Sequence, residues 1–231
     1  MLYVHQVHAI TSGTAPAFEE VLRERWAPAL GREPGMRLAW CARSMPGAIS
    51  FPEVITLTAL TDGAALERYG IRVREGDLRE DARRLQDLRL GVATRILTPL
   101  AFNPLVVDVD ALPVEPDDGP TEMYMHDFVP PRIGMQRAYE DAMQQVYMSM
   151  PSNELLQIVI WAGLETVAGG GPVPESLNIS HVRDADAVTK LLAFEAPREN
   201  KQLGSWMYDA LKLRDTWTTR LVRCLSWSPV R

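Results

Sequence analysis

The sequence predicts an α+β protein built from two tandem copies of one βαββα unit. Three observations lead there. Residue matches recur in order along the chain at an offset near 121. Each copy opens with an alternating strand, a glycine turn and an amphipathic helix. A short stretch rich in proline, glycine and acids separates the copies.

The repeat comes first because it fixes everything else. Tyr3-Val4-His5 matches Tyr124-Met125-His126, an offset of 126 − 5 = 121. The same offset pairs Gly13 with Gly134, Phe18-Glu19-Glu20 with Tyr139-Glu140-Asp141, Leu22 with Met143 and Trp40 with Trp161. At offset 122, Pro52-Glu53 meets Pro174-Glu175. At offset 125, Thr94-Arg95 meets Thr219-Arg220 and Pro104 meets Pro229. Loops of slightly different length produce such drift. Val114 to Pro120 carries two prolines, a glycine and three acids and reads as a linker. The expected organisation is a first unit over 1–113, a linker over 114–121 and a second unit over 122–231.

Within a unit, Leu2 to Ile10 alternates and reads as a strand. Ala17 to Leu30 sets Phe18, Val21, Leu22, Trp26 and Leu30 at helical spacing, and Pro34-Gly35 ends that helix. Strands follow at Arg37 to Arg43 and Val54 to Ala59. A long charged helix is expected over Leu78 to Thr98, then a short extended piece over Ala101 to Val107. The second unit repeats the plan: strands at Met123–Val129, Leu155–Ala162 and Leu177–Val182, a helix at Gln136–Met148, and helices near Ala185–Ala193 and Gly204–Arg223. This is the split βαβ, ferredoxin-like arrangement, with helices on one sheet face. The other face must also be buried, so two sheets packing face to face predict a pseudo-twofold barrel within one chain.

Composition limits the function. The chain has 231 residues, 46% hydrophobic and 23% charged, with a net charge of −6. There is no basic stripe for a phosphate backbone, so a nucleic-acid partner is not expected. No apolar run reaches the roughly 18 residues of a membrane span. The two cysteines form no framework, and the N-terminus has no signal-peptide pattern, so a reducing cytoplasmic location is expected. No zincin, nucleophile-elbow or dinucleotide signature occurs, and no metal is expected.

Candidate chemistry lies in the repeat and in its asymmetries. Tyr3 and His5 share a strand face, as do Tyr124 and His126. Histidine titrates near neutrality and a tyrosine hydroxyl can hold an oxyanion, so each pair can serve acid–base chemistry; buried structural histidines are the alternative. His181 stands opposite Ala59 of the first copy, Asp127 opposite Gln6 and Asn178 opposite Thr56, which points to the second unit. His126, His181, Tyr124, Asp127, His5 and Tyr3 are therefore the catalytic candidates. Met125, Met143, Tyr147, Trp161, Trp206, Trp217 and Asn178 are candidates for a wall against a hydrophobic substrate.

The strand–Gly turn–helix opening of each copy, with tails Leu97-Thr-Pro-Leu-Ala-Phe-Asn-Pro104 and Cys224-Leu-Ser-Trp-Ser-Pro229, resembles the dimeric α/β-barrel superfamily in a tandem version, with NIPSNAP-type domains as the nearest likeness. That resemblance implies a small-molecule enzyme of specialised, antibiotic- or polyketide-like metabolism: a cofactor-free oxygenase, cyclase or isomerase. It also implies two alternatives, a haem enzyme like the chlorite dismutases with His181 or His126 as axial ligand, and a non-catalytic NIPSNAP-like binding protein. The chain would act as a monomeric pseudo-dimer or a homodimer.

Overall fold

A computed structural model describes residues 1–47, 51–115, 117–149, 158–171, 174–186, 188 and 209–231. The chain forms two compact units. The first comprises Met1–Thr98, Val106–Thr121 and Val222–Arg231; the second comprises Pro99–Leu105 and Glu122–Leu221. Among the described residues, Leu2–Ile10 pairs antiparallel with Glu53–Leu60 and with Arg89–Pro99, Met36–Ser44 with Glu53–Leu60 and with the end of Thr218–Cys224, and Ser176–Val182 with Met123–Val129 and with Ile158–Ala168. Among the described residues, no helix is long and apolar enough to cross a membrane.

In the first unit, β1 (Leu2–Ile10) pairs on one side with β3 (Glu53–Leu60) and on the other with β4 (Arg89–Pro99). β2 (Met36–Ser44) lies beyond β3. Gly13 turns the chain at φ +83°, a left-handed conformation that a side chain resists. The helix that follows runs through α1 (Ala15–Val21), a π-helical turn (Leu22–Trp26) and α2 (Ala27–Gly31). Phe18, Leu22, Trp26 and Leu30 face the sheet and meet Val4, Ile10, Cys41 and Val54. The even-numbered residues of β1 therefore point at the helices. Tyr3, His5 and Val7 point to the opposite, helix-free face and are buried there. Two further helices, α3 (Gly63–Arg74) and α4 (Arg79–Asp87), complete this layer. Asp62 caps α3 by accepting from the Ala65 amide at 2.8 Å.

The second unit repeats the register. β5 (Met123–Val129) pairs with β7 (Ser176–Val182), which pairs with β6 (Ile158–Ala168). Gly134 has the same φ, +83°, as Gly13. α5 (Gln136–Ser149) sets Tyr139 and Met143 against Val129. Met125, Asp127 and Val129 thus face the helix, and Tyr124, His126 and Phe128 face away.

Several expected elements differ. The helix expected over Leu78 to Thr98 is the short α4 followed by strand β4. Most of its charges fall in residues 79–89; beyond Arg89 the β-branched Val92, Thr94 and Ile96 favour a strand, and Gly91 weakens a helix. The extended piece expected at Ala101 to Val107 is a turn and irregular chain. The helix expected to end at Arg223 is instead a 3₁₀ turn (Ala210–Lys212) and strand β8 (Thr218–Cys224), whose last residues pair with β2. The expected helix near Ala185–Ala193 lies largely outside the described residues. The stretch read as a linker is held in the first unit: Arg23 donates to both Asp118 oxygens at 3.2 and 2.9 Å, and Ser226 donates to Asp118 at 2.6 Å.

The tryptophan match also shifts. β2 carries a bulge between Leu38 and Trp40, and β6 carries one between Ile160 and Ala162. Trp40 pairs with Leu57, whereas Ala162 pairs with Ile179, so Trp40 corresponds to Ala162 and Trp161 to Ala39.

In the second unit the turn after β4 docks on Gly163. The Leu100 amide donates to the Gly163 carbonyl at 3.0 Å, and the Gly163 amide donates to Asn103 Oδ1 at 2.9 Å. A Cβ at Gly163 would sit 2.6 Å from the Phe102 ring. Phe102 in turn packs against Val129, Tyr139 and Met143. Gly163→Ala should therefore cost about 1–3 kcal/mol of stability by displacing Phe102. Urea unfolding measures this, and an unchanged midpoint would show that Phe102 is not held there.

Candidate functional site

The second unit gathers polar groups on the helix-facing side of its sheet. Strand pairing sets Asp127 of β5 directly across from Asn178 of β7, so both side chains share that face. Asn178 also pairs with Gly163, whose missing side chain leaves room for Phe102. Tyr139 reaches down from α5 toward Asn178, and Thr219 of β8 lies near Asp127. Arg214 completes the group. It is 4% exposed and stacks on the Trp217 ring at 4.1 Å. Its loop is fixed to the end of β5: the Arg132 amide donates to the Leu213 carbonyl at 2.8 Å, and Arg132 pairs with Asp215 at 2.6 Å.

The electrostatics of this group are uneven. Burial pushes the Asp127 carboxyl up to about 6, against the smaller opposing pulls of the Thr219 hydroxyl and Arg214. Burial likewise raises the Tyr139 hydroxyl, with Asp127 adding to the rise and Arg214 opposing it. Asp127 Oδ1, Asn178 Oδ1 and Thr219 Oγ1 are shut from solvent and accept or donate no well-formed hydrogen bond among the described residues. Three such atoms close together are costly; Tyr3 Oη, His5 Nδ1 and His126 Nδ1 are shut from solvent in the same way on the helix-free faces. Phe102, Val129 and Met143 provide the apolar wall.

The first unit shows what the same face looks like when it is filled. Gln6 Nε2 donates to Thr94 Oγ1 at 3.1 Å, where the second unit has Asp127 and Thr219. Arg89 donates to His8 Nδ1 at 2.7 Å, so the His8 proton sits on Nε2, 3.2 Å from Thr56 Oγ1. The His8 ring packs on Phe18 with centroids 5.0 Å apart. Burial, then Arg89, then His5 push the imidazole down to about 3, so it is neutral.

The expected catalytic residues fall into two places. His5 and His126 are 0% exposed on the helix-free faces, as are Tyr3 and Tyr124. Burial pushes the Tyr3 hydroxyl up to about 12. Asp127 is on the opposite face from its neighbour His126, so these two do not form one site. His181 and Tyr124 do come together, with rings 5.2 Å apart, through Glu122. Its Oε2 is 3.1 Å from His181 Nε2 and accepts from the Tyr124 hydroxyl at 3.3 Å. Trp161 packs edge-on against Tyr124 at 5.7 Å. Of the expected wall, Met125, Met143 and Asn178 lie on the helix-facing side, and Trp217 carries Arg214. Trp206 and the Tyr147 side chain lie outside the described residues. Sequence reading missed Tyr139, Arg214 and Glu122 as site residues, and weighed Thr219 only with Arg220, as a carboxylate holder or a structural pair. The signal for Arg214 and Thr219 was the offset of 125, which pairs them with Arg89 and Thr94.

The two histidines expected as axial ligands sit in different settings. His126, like His5, is 0% exposed. Both ring nitrogens of His8 are engaged, and His181 is held between Glu122 and the Tyr124 ring. These are the four histidines of the chain. Among the described residues, no group of three or more His, Cys, Asp or Glu side chains converges as a metal site.

No protein-family model matches the chain, and no curated protein matches it. Solved structures do. A protein provisionally described as a monooxygenase from Fusobacterium nucleatum aligns over 97% of this chain and 92% of that one, at 8% identity and a TM-score of 0.61. An anthrone oxidase-like protein aligns over 97% and 91%, at 10% identity and a TM-score of 0.62. Chlorite dismutase from Candidatus Nitrospira defluvii aligns over 96% and 90%, at 10% identity and a TM-score of 0.51. A NIPSNAP domain protein from Burkholderia xenovorans aligns over 46% of this chain and 100% of that one, at 20% identity and a TM-score of 0.38. The fold is that of the dimeric α/β-barrel proteins, as the sequence predicts.

Two pH effects on stability follow. The folded Asp127 carboxyl titrates near 6, above its ordinary value of 3.8, so its contribution is full below about 4 and lost as pH rises through 6. Asp127→Asn should raise the thermal midpoint at pH 8 by about 2–6 °C, with the gap closing toward pH 4. His8 has the opposite sign: its folded value is depressed, so its contribution is present above 6.5 and lost as pH falls toward 3. The wild type should lose stability relative to His8→Gln between pH 6.5 and 4. Calorimetry across pH checks both, and parallel curves for wild type and variant would refute either.

Proposed function

We propose that the chain is a cofactor-independent oxygenase acting on a flat hydrophobic substrate with an acidic C–H bond, of the polycyclic, polyketide-like kind. The observation that carries this is the half-buried Asp127, its Oδ1 shut from solvent, set across from Asn178 on an apolar-walled, helix-facing surface. A carboxylate that titrates near 6 is a stronger base than an ordinary one and is largely ionised at neutral pH.

In this reading Asp127 takes a proton from a methylene activated by a neighbouring carbonyl or phenol. The negative charge develops on the substrate oxygen, where the Asn178 amide, the Tyr139 hydroxyl and Arg214 can receive it. The carbanion then gives its electrons to dioxygen. The balanced reaction is R–CH₂–R′ + O₂ → R–CO–R′ + H₂O: one oxygen atom enters the substrate, the other leaves as water, and the substrate is the only reductant. The oxygenase and oxidase descriptions of the full-length structural neighbours support this class. His126, His5, Tyr3 and Tyr124 serve the packing of the helix-free face, and the Tyr124–Glu122–His181 set stiffens the paired ends of β5 and β7.

Oxygen uptake and quinone formation with anthrone as probe test this. Asp127→Asn should lower kcat/KM by at least about 100-fold, whereas His126→Phe should stay within about threefold. The wild-type kcat/KM should rise with pH through about 6 and then level. Full activity of Asp127→Asn, or loss confined to the histidine variants, would sink the assignment.

A further inference from the structure

The first unit holds a cleft that the proposed reaction does not use. Its volume is about 510 Å³, within the range of small-molecule sites. Residues of three segments line it: Glu19 of α1, Arg43 to Pro46 at the end of β2, and Arg223 to Trp227 at the chain's tail, with Thr121 at the edge.

The charge arrangement is unusual. Arg43 and Arg223 are direct partners in the β2–β8 ladder, so two like charges stand across from each other. Such a pair is unfavourable unless an anion lies between or beside it. Glu19 satisfies one of the two: Arg43 donates from Nε at 2.6 Å and from Nη2 at 2.5 Å, a two-pronged pair. Among the described residues, Arg223 makes long contacts, from Nη1 to the Thr121 carbonyl at 3.3 Å and to its hydroxyl at 3.4 Å. No ion pair to Arg223 occurs among the described residues. The nearby acid, Asp118, is taken by Arg23 and Ser226. Two arginines and one glutamate leave a single positive charge facing the cleft.

Around that charge the lining is mixed. Thr121 brings a hydroxyl, the Ser44 hydroxyl is spent on the Glu53 backbone, and Met45, Pro46, Leu225 and Trp227 bring apolar and aromatic surface.

We propose that this cleft binds a small organic monoanion, with its carboxylate on Arg223 and its apolar body against Trp227. The arginine fork matches a carboxylate, and the single unmatched charge calls for one negative group. The site is in the first unit and is independent of Asp127.

Calorimetric titration of the full chain tests this, with benzoate, benzyl alcohol and inorganic phosphate as probes. Benzoate should bind saturably in the millimolar range, and benzyl alcohol should bind at least about tenfold more weakly. Arg223→Gln should weaken benzoate at least about tenfold, and Arg223→Lys should recover part of that loss. Glu19→Gln, which frees Arg43, should tighten benzoate several-fold. Asp127→Asn should leave benzoate binding unchanged, which separates this site from the proposed catalytic one. The proposal is overturned by equal binding of benzoate and benzyl alcohol, by phosphate binding more tightly than benzoate, by unchanged affinity in Arg223→Gln, or by no saturation at about 50 mM benzoate.

Discussion

The two-residue period of a paired strand governs this molecule. Along β5 it sends Tyr124, His126 and Phe128 to one side and Met125, Asp127 and Val129 to the other. The ladder to β7 then decides which residues meet: Tyr124 meets His181, and Asp127 meets Asn178. A shift of one residue would exchange the two faces and bury the histidine where the carboxylate now sits. The site, the core and the division of roles between neighbouring residues all follow from that register.

The repeat lets the two units act as controls for each other. Both have an arginine in the loop or strand start after the last helical segment, Arg89 and Arg214, and both place it against the helix-facing side. In the first unit His8 takes up that arginine and Thr56, and Gln6 takes up Thr94, so polar groups are matched internally. In the second unit the position of His8 is Val129, and Gln6 has become Asp127. Removing an acceptor and adding a half-buried acid together leave hydrogen-bonding capacity unspent. This asymmetry costs stability.

Much of the fold was legible in the sequence. Alternation over Leu2–Ile10 and Met123–Val129, helical spacing from Phe18 to Leu30 and the paired Gly13 and Gly134 located the first strand and helix of each unit. The last strand of each unit was not legible. Arg89–Pro99 and Thr218–Cys224 follow charged or helix-compatible segments, and their strand character comes from pairing partners distant in sequence. For the site, the comparison of copies singled out Asp127, Asn178 and His181. Alternation already sets Asp127 and His126 on opposite faces, but it does not say which face carries the helices. Glu122 and Arg214 stood outside recognisable motifs, and only the fold brings them to Tyr124 and Tyr139.

The paired bulges bear on how the two copies correspond. The ladder register shifts at Ala39 of β2 and at Trp161 of β6, equivalent points of the two copies. The tryptophans do not share that position: Trp40 is inside the ladder and Trp161 is in the bulge. Identical letters in the two halves therefore mark different places in space, and the backbone irregularity is the better guide to which residues correspond.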